Sequence, residues 1–222
     1  LWERARTEQM PPTAEEIAAA RARVGYKTLE LRTSEAGGHT IYEARLTKAG
    51  VKIDRGALIK GFALDDIRSS WQAAGIENAL ADLGTSSMLG MGVNEEGVPW
   101  QIGIRNPRGE GRSDLIAVLP LADEVLSSSG DDERYFIYEG RRYHHLIDPR
   151  TGYPAETGLA SVVVTLPLSA EDLPAWQGHM GLLSDMLSTA VFVLGAEEGR
   201  RLLTGFPDAR LVLVGTDGKI IE

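Results

Sequence analysis

A chain of 222 residues, 43% hydrophobic and 25% charged, has enough apolar material for a sizeable core without a disulfide or structural metal. Its formal charge of −9 argues against a nucleic-acid partner, and arginines such as Arg105, Arg108, Arg141 and Arg142 are interleaved with acids and glycines rather than gathered into a stripe. It contains no cysteine, which excludes thiol catalysis and Cys-ligated zinc, and no apolar run approaches the ~18 residues of a membrane span.

Thr13, with Glu16 three residues on, is a capping pair and predicts a helix over 13–23. Segments 26–32 and 40–45 alternate apolar and polar residues as half-buried strands do, with a turn at Ser-Glu-Ala-Gly-Gly between them. A short strand is expected at 51–54. A helix then starts from Gly56 and ends near Gly75, its apolar face formed by Ile59, Phe62, Ala63, Ile67 and Trp71. Segment 78–83 reads as a strand running into a glycine- and serine-rich loop over 84–90, and 93–104 as a hairpin turning at Asn-Glu-Glu-Gly. Strands follow around 115–119 and 125–128, then a hairpin of 135–138 with 142–147 that turns at Glu139-Gly140. Segment 159–166 is β-branched and almost continuously apolar, as a strand buried on both faces is. Helices are expected at 181–194 and 197–203, and a last hairpin over 211–221 at Thr216-Asp217-Gly218. The sum is an α+β protein of mostly antiparallel sheet with a few packed helices, read as a single domain over 1–222.

Four segments carry chemistry. In Asp54-Arg-Gly-Ala57-Leu-Ile-Lys60-Gly-Phe-Ala-Leu-Asp65, Asp54 is placed to cap the following helix, and that helix N-terminus with Lys60 one turn in suits an anion such as phosphate. The small residues of Gly84-Thr85-Ser86-Ser87 let backbone approach a ligand and offer hydroxyls. In His144-His145-Leu-Ile-Asp148-Pro149-Arg-Thr151-Gly152-Tyr-Pro154, the later part is turn chemistry, while a strand would point the two histidines to opposite sides. Histidine suits proton transfer from a hydroxyl near neutral pH. Asp185 and Thr189 stack one helical turn apart and present hard oxygen, suited to Mg²⁺ rather than to zinc or copper.

Together, DRGALIKGFALD, NALADLGTSSMLG, SSSGDDERYF, HHLIDPRTGYP and SDMLSTAVFVLG resemble the ApbE family of FAD:protein FMN transferases, in order from about Asp54 to Leu194. The most specific stretch is HxxDPxTG. The resemblance implies an ApbE-like, T-fold-related fold. It implies Mg²⁺ held by the Asp185 and Thr189 side chains and the Ala57 carbonyl, and FAD contacted by Asp54, Lys60 and the backbone near Ile147, with Asp65, Thr85 and Ser86 close by. His145 would be the base for an acceptor threonine or serine. The implied partner is a flavin-carrying subunit of a membrane redox complex, and the implied location is extracytoplasmic, with a lipid anchor in an N-terminal region that this chain, opening at Leu1, would lack. An FAD pyrophosphatase giving FMN and AMP, or a flavin-binding protein without chemistry, are the alternatives.

Overall fold

In the computed structural model, which describes residues 1–84, 86–111, 113–169 and 173–222, the chain divides into two units. One consists of Leu1–Asp54 with Tyr135–Pro154, the other of Arg55–Arg134 with Ala155–Glu222. The elements in chain order are α1 (Trp2–Glu8), α2 (Ala14–Arg21), β1 (Leu29–Ala36), β2 (His39–Leu46), α3 (Ile59–Ala73), β3 (Ala79–Asp82) and β4 (Ser87–Met91). They continue with β5 (Trp100–Arg105), β6 (Leu115–Leu121), β7 (Glu124–Gly130), β8 (Tyr135–Tyr138), β9 (Arg141–His144) and β10 (Leu159–Pro167). The last are α4 (Met180–Leu194), α5 (Ala196–Leu203) and β11 (Arg210–Gly215). Every strand pair among the described residues is antiparallel, so the α+β expectation holds. Among the described residues no helix is long and apolar enough to cross a membrane.

In the first unit, α2 starts where the capping pair predicts, with Thr13 Oγ1 accepting from Glu16 N and the Glu16 carboxylate accepting from Thr13 N. Helix α1 had no sequence signal of its own. It is held by Trp2, whose ring stacks on Tyr143 and whose Nε1 donates to the Gly152 carbonyl at 2.9 Å. β8 and β9 form the expected hairpin. Glu139 and Gly140 both take positive φ (49° and 78°), the pair of left-handed residues that a tight two-residue hairpin requires. β1 and β2 pair along their whole length, and nearly all of that ribbon is exposed.

The second unit is built on a five-stranded sheet in the order β11-β10-β7-β4-β3. β10 is its central hydrophobic strand, with eight consecutive buried residues, as its unbroken apolarity predicts. Helix α4 packs on β7 and β10, and α3 packs on α4. On the opposite sheet face, Ile102, Ile104 and Leu121 of the β5–β6 ribbon form a core with Leu126 and Val163.

Four expectations fail, each because pairing or packing overrides the local pattern. Residues 51–54 are not a strand, since no ladder among the described residues takes them up. Part of the expected loop over 84–90 is β4, which pairs with both β3 and β7; its Gly90 lets Leu121 approach to where a Cβ would stand only 3.1 Å away. The turn at Asn94 forms, but β5 begins beyond it and pairs with β6 rather than with residues 93–97. Helix α3 starts at Ile59, and the N-cap position is held by Leu58 rather than by Asp54. Its buried residues are Gly61, Leu64 and Asp65, whereas Ile59 and Phe62 of the expected face are 48% and 45% exposed.

Candidate functional site

Strand alternation prepares one side of the second unit's sheet. Ser87 on β4 and Ser127 and Ser129 on β7 point the same way, because Ser87 stands opposite Ser127 in register and Ser129 follows Ser127 by two. Helix α4 lies over this row with its own polar residues. Ser87 Oγ donates to Asp185 Oδ1 at 3.0 Å, and Ser129 Oγ lies 3.0 Å from both Ser188 Oγ and Thr189 Oγ1. Asp185 is 7% exposed, so a carboxylate here is tolerable only if its oxygens are well supplied with donors.

The second donor to Asp185 comes from α3. Gly61 N–H would donate to the Ala57 carbonyl in a regular helix; it donates instead to Asp185 Oδ2 at 2.8 Å. No backbone N–H among the described residues donates to the Ala57 carbonyl, which leaves that oxygen available to a ligand. Asp65 returns the contact: its carboxylate accepts from Gly181 N at 2.7 Å and Leu182 N at 2.9 Å, satisfying free N–H groups at the start of α4. Burial pushes the Asp65 carboxyl up from its usual range, opposed by those two hydrogen bonds and by the charges of His179 and Arg68. The two helices cross at Gly61 and Gly181, where a Cβ on either would collide with the other's carbonyl.

Lys60, on the first turn of α3, donates from Nζ to Ser86 Oγ at 2.6 Å. The second unit thus brings Lys60, Ser86, Asp65, Asp185 and Thr189 into one α3–α4–β4 neighbourhood, with Ala57 in the turn that leads into α3. Thr85 lies outside the described residues. Among the described residues no group of three or more His, Cys, Asp or Glu could hold a metal. One carboxylate with hydroxyl and carbonyl oxygens fits Mg²⁺, which takes few protein carboxylates and fills its shell with water or phosphate oxygens. Sequence reasoning placed Ser87 in a loop rather than on β4, and it gave Ser127 and Ser129 no role in the site. Serines at alternate positions in a strand as buried as β7 were the available signal.

The first unit holds the remaining candidates. Asp54 is exposed just ahead of the boundary, and Ile147 is bridged to Pro154. His144 ends β9 and is buried, its Nδ1 accepting from Leu146 N at 3.2 Å, while His145 is exposed. The turn beyond is built on Asp148, whose backbone carbonyl accepts from Thr151 N and Gly152 N and whose side chain accepts from Arg150 N and Nε. Gly152 takes φ +81° with Ile17 and Arg21 pressed against it, so both its conformation and the space demand glycine.

The hydrogen bond from the Arg150 side chain holds the Asp148 carboxyl below the usual aspartate range. A depressed folded pKa means a contribution fully present above the unfolded value of ~3.9 and lost as pH falls through the folded value. Asp148→Asn should therefore lower the thermal midpoint at neutral pH, and the gap to the wild type should close below about pH 4. Parallel midpoint-against-pH curves for the two proteins would contradict this.

Similarity to known proteins runs over nearly the whole chain. The model of the ApbE family matches residues 1–213. A protein of Treponema pallidum (strain Nichols) named FAD:protein FMN transferase is 32% identical over 229 residues, covering 99% of this chain and 59% of its own length. One of the same name from Haemophilus influenzae is 32% identical over 212 residues, covering 95% and 56%. Among solved structures, the ApbE protein of Thermotoga maritima superposes with a TM-score of 0.76 at 32% identity, covering 97% of this chain and 63% of that one. The flavin transferase ApbE of Vibrio cholerae gives 0.71 at 27% identity, covering 95% and 60%. The chain spans less than two thirds of the length of each of these relatives.

Proposed function

The chain belongs to the ApbE family, and from that membership we propose that it forms part of an FAD:protein FMN transferase, moving FMN from FAD to a threonine or serine hydroxyl of an acceptor protein with release of AMP. The observation that carries the proposal is the 32% identity over 99% of this chain to a protein of that name. The α3–α4 oxygen set adds independent chemical support.

Asp185, Thr189 and the Ala57 carbonyl would hold Mg²⁺. When bound, the ion supplies Lewis-acid neutralisation of charge on the pyrophosphate. Lys60 contributes a fixed positive charge, oriented by Ser86, toward the same phosphates. Asp54 and the backbone near Ile147 would contact the flavin nucleotide. His145 takes the proton from the acceptor hydroxyl as its oxygen bonds to the FMN phosphorus. The bond from that phosphorus to the bridging oxygen breaks, AMP leaves with the electron pair, and the proton passes from His145 to solvent. The proposal includes, from the resemblance, an acceptor subunit of a membrane redox complex and an extracytoplasmic site of reaction.

The test is incubation of the protein with FAD, Mg²⁺ and a flavin-acceptor domain. Flavin fluorescence that stays on the acceptor in a denaturing gel, with AMP in solution, is the expected result. FMN and AMP without labelled acceptor would make it a pyrophosphatase, and no turnover at all would leave only a flavin binder.

In the same assay, His145→Ala should keep FAD affinity within about threefold and lose transfer by ~10²–10⁴, the usual worth of a general base. His144→Ala should cost less transfer, because His144 is buried at the end of β9 while His145 is exposed at the surface, where a substrate hydroxyl can approach. A larger loss of transfer at His144 would reverse the assignment.

A further inference from the structure

Ser127 sits in the middle of the hydroxyl row under α4 and differs from its neighbours in one respect. It is fully buried, at 0% exposure, yet among the described residues its Oγ has no hydrogen-bond partner. The hydroxyls on either side are engaged. Across the ladder, Ser87 donates to Asp185; two residues along the strand, Ser129 contacts Ser188 and Thr189. Ser127 therefore stands between the partner of Asp185 and the partner of Thr189, facing the single helical turn that separates those two residues. Val125 precedes it on the same face and Val164 lies opposite it on β10, so apolar side chains line the rest of its surroundings.

A buried hydroxyl left unpaired loses its hydration without compensation, and native structures keep few of these without a reason. None of the hydroxyl and carboxylate neighbours among the described residues is placed to satisfy it. We infer that Ser127 is a further oxygen of the cation site: its hydroxyl gains its partner when a divalent cation binds between Asp185 and Thr189, through the ion or a water that the ion holds. The inference rests on the proposed Mg²⁺ reading of those two residues and deepens it. Such a residue takes no part in the proton transfer. It raises affinity for the ion and fixes where the ion sits, as outer partners of metal sites do.

Two readings of Ser127 make opposite predictions about stability. If its hydroxyl belonged to the fold's own hydrogen-bond network, Ser127→Ala would destabilise the protein with or without metal. If it serves the cation, Ser127→Ala removes an unpaired buried hydroxyl from the metal-free protein and costs nothing there, while weakening the bound state. The experiment follows the thermal unfolding midpoint against Mg²⁺ alone, starting in chelator, for the wild type, Ser127→Ala and Asp185→Asn. Ligand bound only by the native state raises the midpoint logarithmically once its concentration exceeds Kd, so the concentration at which the rise begins reports the affinity.

The expected result is a metal-free midpoint for Ser127→Ala at or above that of the wild type, with the Mg²⁺ concentration at which the midpoint begins to rise increased on the order of tenfold. Asp185→Asn should lose the response. A wild-type Mg²⁺ curve for Ser127→Ala would overturn the inference and leave the cation site standing. A lowered metal-free midpoint with an unchanged Mg²⁺ curve would also overturn it, making the hydroxyl a structural one. If the wild type itself gave no Mg²⁺ response, the cation reading of Asp185 and Thr189 would fall first, and the role of Ser127 with it.

Discussion

Replacing Asp185 by asparagine is expected to abolish Mg²⁺ binding and reduce AMP release by at least ~10³, with the fold retained. Both parts follow from how the carboxylate is held. Its oxygens accept from Gly61 N and Ser87 Oγ, at 2.8 and 3.0 Å. In asparagine the remaining oxygen can keep the Gly61 bond, and the amide NH₂ can donate to Ser87, because a hydroxyl both gives and receives. The shape and the hydrogen bonds survive; the negative charge does not. Without it, a site with a single carboxylate has lost its main attraction for a divalent cation. Loss of such a Lewis acid removes several kcal/mol from transition-state stabilisation, and each 1.36 kcal/mol is about tenfold in rate. The measurements are AMP release against Mg²⁺ concentration and circular dichroism of the variant. Turnover near the wild-type level at low Mg²⁺ would remove Asp185 from the metal site.

The second large effect is expected at Gly61, and it concerns the scaffold. A Cβ there would meet the Gly181 carbonyl well inside van der Waals contact and stand 2.9 Å from Asp185 Cβ. The obstacle is backbone, not the end of a flexible side chain, so α3 must retreat from α4. That retreat stretches the Gly61–Asp185 bond and the reciprocal Asp65 bonds to Gly181 and Leu182 together. Overpacking costs ~1–3 kcal/mol, and hydrogen bonds to charged groups are worth ~1.5–3 kcal/mol each, so a loss of at least ~3 kcal/mol is expected for Gly61→Ala. For a chain of this size that lowers the midpoint by roughly 6–12 °C. Gly111→Ala is the control, since a Cβ there meets nothing within 4 Å and Gly111 needs no left-handed backbone. Equal midpoints for the two variants would show that α3 and α4 are not locked at the glycine crossing.

Local chemistry alone determined a good part of this protein. The Thr13–Glu16 capping pair places α2, the Glu139-Gly140 turn sets the β8–β9 hairpin, and the apolarity of 159–166 marks the strand buried on both faces. In each case the decisive interactions lie within a few residues or come from the hydrophobic pattern itself, so the information is present in a short window. That Asp185 and Thr189 share a face of α4 was legible for the same reason: i and i+4 on a strongly periodic helix stand together wherever that helix packs.

What the tertiary structure alone decided is which partners those elements meet. The α3 pattern favours a stripe through Ile59, Phe62, Ala63, Ile67 and Trp71, of which the last three are half-buried, yet the residues the helix buries fully are Gly61, Leu64 and Asp65, because two glycines let it approach α4 backbone to backbone and two aspartates exchange hydrogen bonds across the contact. The glycine- and serine-rich run after β3 looks like a loop until β7 supplies a ladder, which turns its second half into β4 and points Ser87 at Asp185. Asp185 lies 124 residues from Gly61 and 98 from Ser87. A pattern read over ten residues cannot contain such pairings, because they are stabilised only once the sheet and both helices have come together.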